Sequence, residues 1–289
     1  MNKNKVKETL VHGSLFVAAM ASIGAVIVIC VFLFGNSFSL FKDVSLTDFL
    51  FGKIWAPNNI PASYGIWPMI VGSVYVTAGA IIIGVPIGIL ASVFMAWYCP
   101  KGLYKILKPA TNLMAGIPSI IYGFFGMVVI VPFVRNTFGG NGNSILSASI
   151  LLGIMILPTI IGVSESSIRA VPQHYFEGAL ALGATKERAI FRVVLPAAKS
   201  GVISSVVLGV GRAIGETMAV IMVVGNQTMV PSSVLDGVRT MTAHIVTEMG
   251  YAAGTQRTAL LATGVVLFVF ILVINMTMSA ITNHDAKQS

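Results

Sequence analysis

Charge is what this sequence has least of. Only 10% of its 289 residues are Asp, Glu, Lys or Arg, where a soluble domain carries about 25%, so the chain reads as one membrane-embedded domain rather than a hydrated one. Cysteine is nearly missing: Cys30 lies in the first apolar run and Cys99 at the end of the second, with no C-x-x-C pair, which leaves both as packing residues. The histidines, His12, His174, His244 and His284, are too dispersed to gather a metal. No G-x-x-x-x-G-K-[ST] loop occurs, so nothing here cradles a triphosphate and ATP chemistry is not expected of this chain. Gly209-Val210-Gly211 could open a dinucleotide fingerprint, but it sits inside an apolar stretch with no preceding strand. The formal charge of +8 is scattered over short loops, not gathered in a stripe with interleaved aromatics, which argues against nucleic acid as a partner.

What fills the chain instead is apolar sequence, 56% of all residues, arranged in six runs: 15–34, 66–98, 114–134, 145–163, 202–224 and 259–281. The first, preceded by Lys3, Lys5 and Lys7, exceeds the roughly 7–15 residues of a signal-peptide core, so it reads as a retained anchor. The second would reach roughly 50 Å as one helix, beyond the ~30 Å hydrocarbon core, and Gly84-Val85-Pro86-Ile87-Gly88 is the natural place for a kink. The third is interrupted by Gly116, Pro118, Gly123 and Gly126, tolerable at membrane depth where protein or a water-filled cavity satisfies the freed backbone. Six helical spans place both termini on the same side. Twelve Lys and Arg fall on that side, including Lys101, Lys105, Lys108 and the loop 164–200, against five on the other; the positive-inside rule makes the richer side cytoplasmic. Trp55 and Trp67 then mark the outer interface and Trp97 with Tyr98 the inner one.

Ionisable residues inside a span are costly, about 2.5–3.5 kcal/mol each on insertion scales, and Arg212 and Glu216 lie mid-way through the fifth run. Four residues apart, they are expected on one helical face. They could pair with each other as a structural clamp, or serve an anion's route, since Arg presents a planar fork suited to oxyanions. Thr217 follows directly, and Ser119 would join this pathway, with Gly116 and Tyr122, if its helix packs beside that of Arg212. Gly211 and Gly215 form a small-x-x-x-small pair that would let another helix approach. The outer loop 231–255 carries Val234, Val238, Met241, Ile245 and Met249 at helical spacing, fit to lie along the outer interface or to plug the pathway.

In the cytoplasmic loop, Glu177, Ala179, Gly183, Leu195 and Pro196 match the EAA-x3-G-x9-I-x-L-P signature of bacterial ABC importer permeases, with Gly178 for the second-position Ala and Val193 for the Ile. Locally, 174–182 can form a short helix, Gly183 the turn, and Thr185 can cap a second helix with Glu187 near its positive end. An amphipathic hairpin lying on the membrane is the plainer alternative. The stretches WAPNNIPASYGIWPMIVGS, GIPSIIYGFFG and GRAIGETMAVIMVVGN resemble the phosphate-specific branch of these permeases and, through Met218-Ala219-Val220, its PstC-type rather than its PstA-type subunit. The resemblance covers about residues 50 to 280. It implies the helical type I importer core, five helices plus the added first one, with residues 1–65 before a core of 66–283 and a tail of 284–289. It also implies an inorganic phosphate importer in a bacterial inner membrane, with a PstA-type second permease, two ATPase subunits that carry ATP and magnesium, and a phosphate-binding protein outside. A permease for molybdate or sulfate would share the EAA loop. A secondary anion transporter would need no such loop and would more typically show internal repeats.

Overall fold

The computed structural model of the chain describes residues 3–286, with side-chain surroundings for 11–277 and 280. The tail residues 287–289, with Lys287, lie outside the described residues, as do the side chains of Lys3, Lys5, Lys7 and His284. The chain is helical almost throughout. Helix α1 runs Lys3–Ser37, and after a 3-10 turn α2 covers Leu46–Phe51. Strands β1, Trp55–Ala56, and β2, Ser63–Tyr64, pair antiparallel with Trp55 opposite Tyr64. Then come α3, Trp67–Val93; α4, Lys101–Gly116; α5, Ser119–Phe125; α6, Val131–Phe138; and α7, Ile145–Arg169. The remainder comprises α8, Gln173–Ala181; α9, Lys186–Ala189; α10, Leu195–Ala197; α11, Lys199–Gly215; α12, Met218–Val223; α13, Met241–Met249; and α14, Gly254–Ala286.

Among the described residues five helical stretches are long and apolar enough to cross a membrane: Val11–Lys42, Trp67–Tyr98, Ser119–Phe138, Ile145–Arg169 and Gly254–Thr277. A sixth is a bent pair, Lys186–Ala197 with Lys199–Gly215, turned by 70°. Six crossings therefore hold only with that bend. Helix α7 is the axis of the bundle: 67% of its most apolar window is buried inside the protein, against none for the first span. Leu151, Leu152, Met155, Ile156 and Ile160 of α7 form the main core with Val76 and Ala80 of α3 and Val220 and Val223 of α12. The first span instead leans on α14, with Phe34 edge-on to Phe268 at 6.3 Å, and leaves the rest of its apolar surface for lipid.

Helix α3 runs through Pro86 as one helix, and its glycines serve packing, since a Cβ on Gly84 would fall 2.8 Å from the Gly153 carbonyl oxygen. Three expected features come out differently. The third span begins at Ser119, not 114, because Pro118 restricts the residue before it to extended backbone, and Ile117 has φ −68° and ψ 126°. Lysine-bearing α4, expected as a loop, is a helix with no buried residue. Trp55, placed at the lipid interface by the aromatic pattern, is buried at 8% exposure, inside a second core with Leu40, Phe49, Ile66, Met69, Met241 and Leu260.

Candidate functional site

The residues singled out in the sequence fall in two regions, a knob at one end of the bundle and a pair of broken helices within it. In the knob, α8 stops through a left-handed Gly183 at φ +81°. The Ala184 amide then donates to the Ala179 carbonyl at 3.1 Å and the Gly183 amide to Leu180 at 2.9 Å, the paired closure that satisfies a helix's last carbonyls. Thr185 caps α9 by accepting from the Arg188 amide at 3.3 Å. Glu177 and Gly183 are exposed, Ala179 and Leu195 half-buried, Pro196 exposed, and Leu182 at the tip is 92% exposed. Beneath, Phe176 stacks on Trp97 at 4.5 Å, and Ile168, Ile190, Val194 and Val202 make a small core. The knob is therefore seated on the ends of α3, α7 and α11 and not laid loosely on a surface.

The expected fifth span is not one helix. Helix α11 ends at Gly215, Glu216 is extended at ψ 130°, and α12 restarts at Met218. The cause is local: the Glu216 carboxylate accepts from the Ala219 amide at 3.1 Å, a side-chain bond that competes with helix continuation. Arg212 and Glu216 consequently do not share a helical face, and no ion pair joins them among the described residues. Arg212 has one hydrogen bond there, a long 3.4 Å donation to Thr159 Oγ1. Thr217 Oγ1 donates to the Gly215 carbonyl at 3.3 Å.

The two breaks, at Ile117-Pro118 and at Glu216-Thr217, belong to neighbouring elements. Helix α5 packs on α12, so closely that a Cβ on Gly123 would fall 2.9 Å from Ala219 Cα. Ser119, half-buried at the start of α5, is thus on the helix that packs against α12, the short helix that follows Arg212. Tyr122 Oη donates to the Met114 carbonyl at 2.8 Å, satisfying a backbone acceptor that the first break frees. A Cβ on Gly211 or Gly215 would meet nothing of this chain within 4 Å. The close approach to α7 occurs instead along Gly201, Ser205 and Gly209: Ser205 Oγ meets Ser164 Oγ at 2.6 Å, and a Cβ on Gly209 would sit 3.1 Å from Ile160.

Two buried carboxylates have no counterpart in the sequence reading. Glu165, 1% exposed, accepts from Lys108 Nζ at 2.6 Å, Tyr104 Oη at 2.7 Å and Arg169 Nε at 2.8 Å; Arg169 also donates to the Met95 carbonyl and lies 4.6 Å over the Tyr104 ring. The bond to Glu165 raises the Tyr104 hydroxyl above its ordinary value. At the opposite end Glu248 accepts from Arg239 Nη1 at 2.6 Å, Trp55 Nε1 at 2.8 Å and Gln256 Nε2 at 3.0 Å. His244, fully buried against Trp55 at 4.2 Å, is pushed down to about 3 by burial and then by Arg239. Asp236 is held low by the Ser232 amide and hydroxyl and the Ser233 amide. The signal for the first node is present in the sequence as two i, i+4 pairs, Tyr104 with Lys108 and Glu165 with Arg169, but their meeting is a tertiary fact.

Comparison with known proteins agrees with this architecture. Residues 84–284 match the family model described as binding-protein-dependent transport system inner membrane component. The probable ABC transporter permease protein YqgH of Bacillus subtilis is 38% identical over 275 residues, 91% of this chain and 89% of the relative. The phosphate transport system permease protein PstC of Mesorhizobium japonicum is 34% identical over 275 residues, 86% of this chain and 84% of the relative. Among solved structures, a bacterial alginate ABC transporter bound to its periplasmic protein aligns with a TM-score of 0.63 at 16% identity, covering 96% of both chains. The MetNI methionine ABC transporter aligns at 0.58 and 22%, covering 76% of this chain and 94% of that one. At those identities the likeness speaks for the fold, which is that of the type I ABC importer permeases. With its several apolar helices, its EAA knob and relatives of this length, the chain is a multi-pass membrane protein that belongs to the family of binding-protein-dependent transport system inner membrane components.

Proposed function

We propose that the chain is a permease subunit of an ATP-driven inorganic phosphate importer and that Arg212 faces the phosphate on its route. The observation that carries this is the guanidinium's incomplete pairing: among the described residues, one hydrogen bond of 3.4 Å for a group with five donors, four residues before the break between α11 and α12. A fork of that kind suits tetrahedral oxyanions. Glu216 fixes the break, while Ser119 and Thr217 supply hydroxyls near it. The similarity to PstC proteins supports phosphate over molybdate or sulfate as the oxyanion.

In this reading both termini and the knob face the cytoplasm of a bacterial inner membrane. Glu177, Ala179, Gly183, Leu195 and Pro196 build the surface that one of two ATPase subunits grips, and the ATP and magnesium belong to those subunits. The bare Gly211 and Gly215 face, open in this chain, fits close packing by a PstA-type second permease, and a phosphate-binding protein docks outside. Radiolabelled phosphate uptake, normalised to assembled complex, tests the reading. Arg212→Lys is expected to lose about tenfold or more, because a point charge does not reproduce the charge-assisted fork; uptake at the unaltered rate would refute it.

A further inference from the structure

The segment between α12 and α14 has buried polar contacts that neither packing nor the proposed route requires. It leaves α12 through Gly225 and Asn226, both left-handed at φ 88° and 53°. It then crosses from one core to another within three residues: Val238 belongs to the bundle core with Leu151 and Val223, Met241 to the outer core with Phe49 and Trp55. Polar bonds tie it at both sides of that crossing. Thr242 Oγ1 donates to the Glu216 carbonyl at 3.2 Å, and the Met241 amide donates to Ser73 Oγ at 2.9 Å. Arg239 reaches back to the Asn226 carbonyl at 3.1 Å and forward to Glu248. Glu248 in turn holds Trp55, which belongs to the hairpin of the outer module.

We propose that this segment is a strap that couples the outer module, residues 38–66, to the break between α11 and α12, with Trp55 and Thr242 as the positioning residues at its two ends. The inference rests on the reading of that break as part of the transport route. Glu216 is the point of application: its carboxylate holds the first turn of α12 and its carbonyl is held by Thr242, so a shift of Thr242 moves the start of α12 relative to Arg212. A protein that docks on the outer module and displaces Trp55 would pull on Glu248, hence on Arg239 and α13, and so on Thr242. The contacts at the two ends, Trp55 to Glu248 to Arg239 and Thr242 to Glu216, are polar and of defined geometry, with the α13 backbone between them, and they can be broken and remade at low cost compared with repacking a core, because the net worth of a hydrogen bond is modest.

The test uses the full-length chain in its own membrane, with Cys30 and Cys99 replaced by Ser and one cysteine introduced at Met218, which is 50% exposed. The readout is the rate of reaction with a membrane-impermeant maleimide, per amount of folded chain. Thr242→Val should raise that rate by about three- to tenfold, the shift in an open–closed equilibrium that losing one ordinary hydrogen bond produces, while Thr242→Ser, which keeps the hydroxyl, should not. Trp55→Phe, which keeps a ring but removes the donor to Glu248, should act in the same direction. The two changes together should exceed neither single change by much, because they cut one connection. An unchanged rate in Thr242→Val, or strictly additive effects of the two, would overturn the strap. Labelling needs no substrate, so the strap can stand if Arg212→Lys transports normally and can fall while Arg212 remains essential.

Discussion

The two ends of the bundle and its middle treat charge in opposite ways. At the knob end Glu165 is surrounded by Lys108, Arg169 and Tyr104, and at the far end Glu248 by Arg239, Trp55 and Gln256; each carboxylate takes three donors at 3.0 Å or less. In the middle Arg212 makes, among the described residues, one hydrogen bond of 3.4 Å, and Glu216, the expected partner, is turned to its own backbone. A buried charge that is fully paired has no capacity left for a ligand and serves as architecture. A half-paired one keeps that capacity. The difference separates the residues that hold this chain together from the one we propose to meet an anion.

Removing the centre of a satisfied node should give the largest effect on stability. Glu165→Leu strands Lys108 and Arg169 and is expected to cost about 3 kcal/mol, the low end of the range for breaking a buried pair, since those partners keep 30% and 45% exposure. Thermal unfolding in detergent checks it, and adding Lys108→Met should recover most of the loss; no recovery would mean that the node is not a self-contained unit. At the far end acid should do what mutation does. Unfolded His244 takes a proton below 6.5 and folded His244 stays neutral down to about 3. Its contribution is therefore complete above 6.5 and is lost as pH falls toward 3, by at most about 1.4 kcal/mol per pH unit. Unfolding of the native chain and of His244→Gln across that window should differ in slope. Smallest and most local is Gly183→Ala, which forces a Cβ into left-handed backbone at a cost of about 1 kcal/mol, with open space around it. Amide exchange in 173–189 should speed up roughly fivefold while the amides of α7 stay protected.

Much of this is legible in the sequence, for physical reasons that are themselves local. The spans follow from runs of apolar residues, and the knob from Gly183 and Thr185, whose turn and cap are decided within a few neighbours. The first break is half legible: Pro118 dictates the backbone of Ile117, but with Gly116, Pro118, Gly123 and Gly126 all interrupting the run, its apolar residues alone do not mark which interruption starts the span. The second is not, since helix periodicity puts Arg212 and Glu216 together and only the bond from Glu216 to Ala219 separates them. Trp55 and the two carboxylate nodes are out of reach for another reason: the partners lie 193 residues apart for Trp55 and Glu248, and 57 for Lys108 and Glu165. Burial of a tryptophan that composition places at a lipid interface is likewise decided by α13 folding back against it.

The contrast between paired and half-paired charge is tested most directly by measuring stability and transport on the same samples of Arg212→Met. Thermal unfolding should move by less than about 1 kcal/mol, as for a side chain with one long hydrogen bond, while radiolabelled phosphate uptake per assembled complex falls to background. An unfolding shift as large as that of Glu165→Leu, with uptake declining only in proportion to the folded fraction, would place Arg212 among the architectural charges and remove it from the phosphate route.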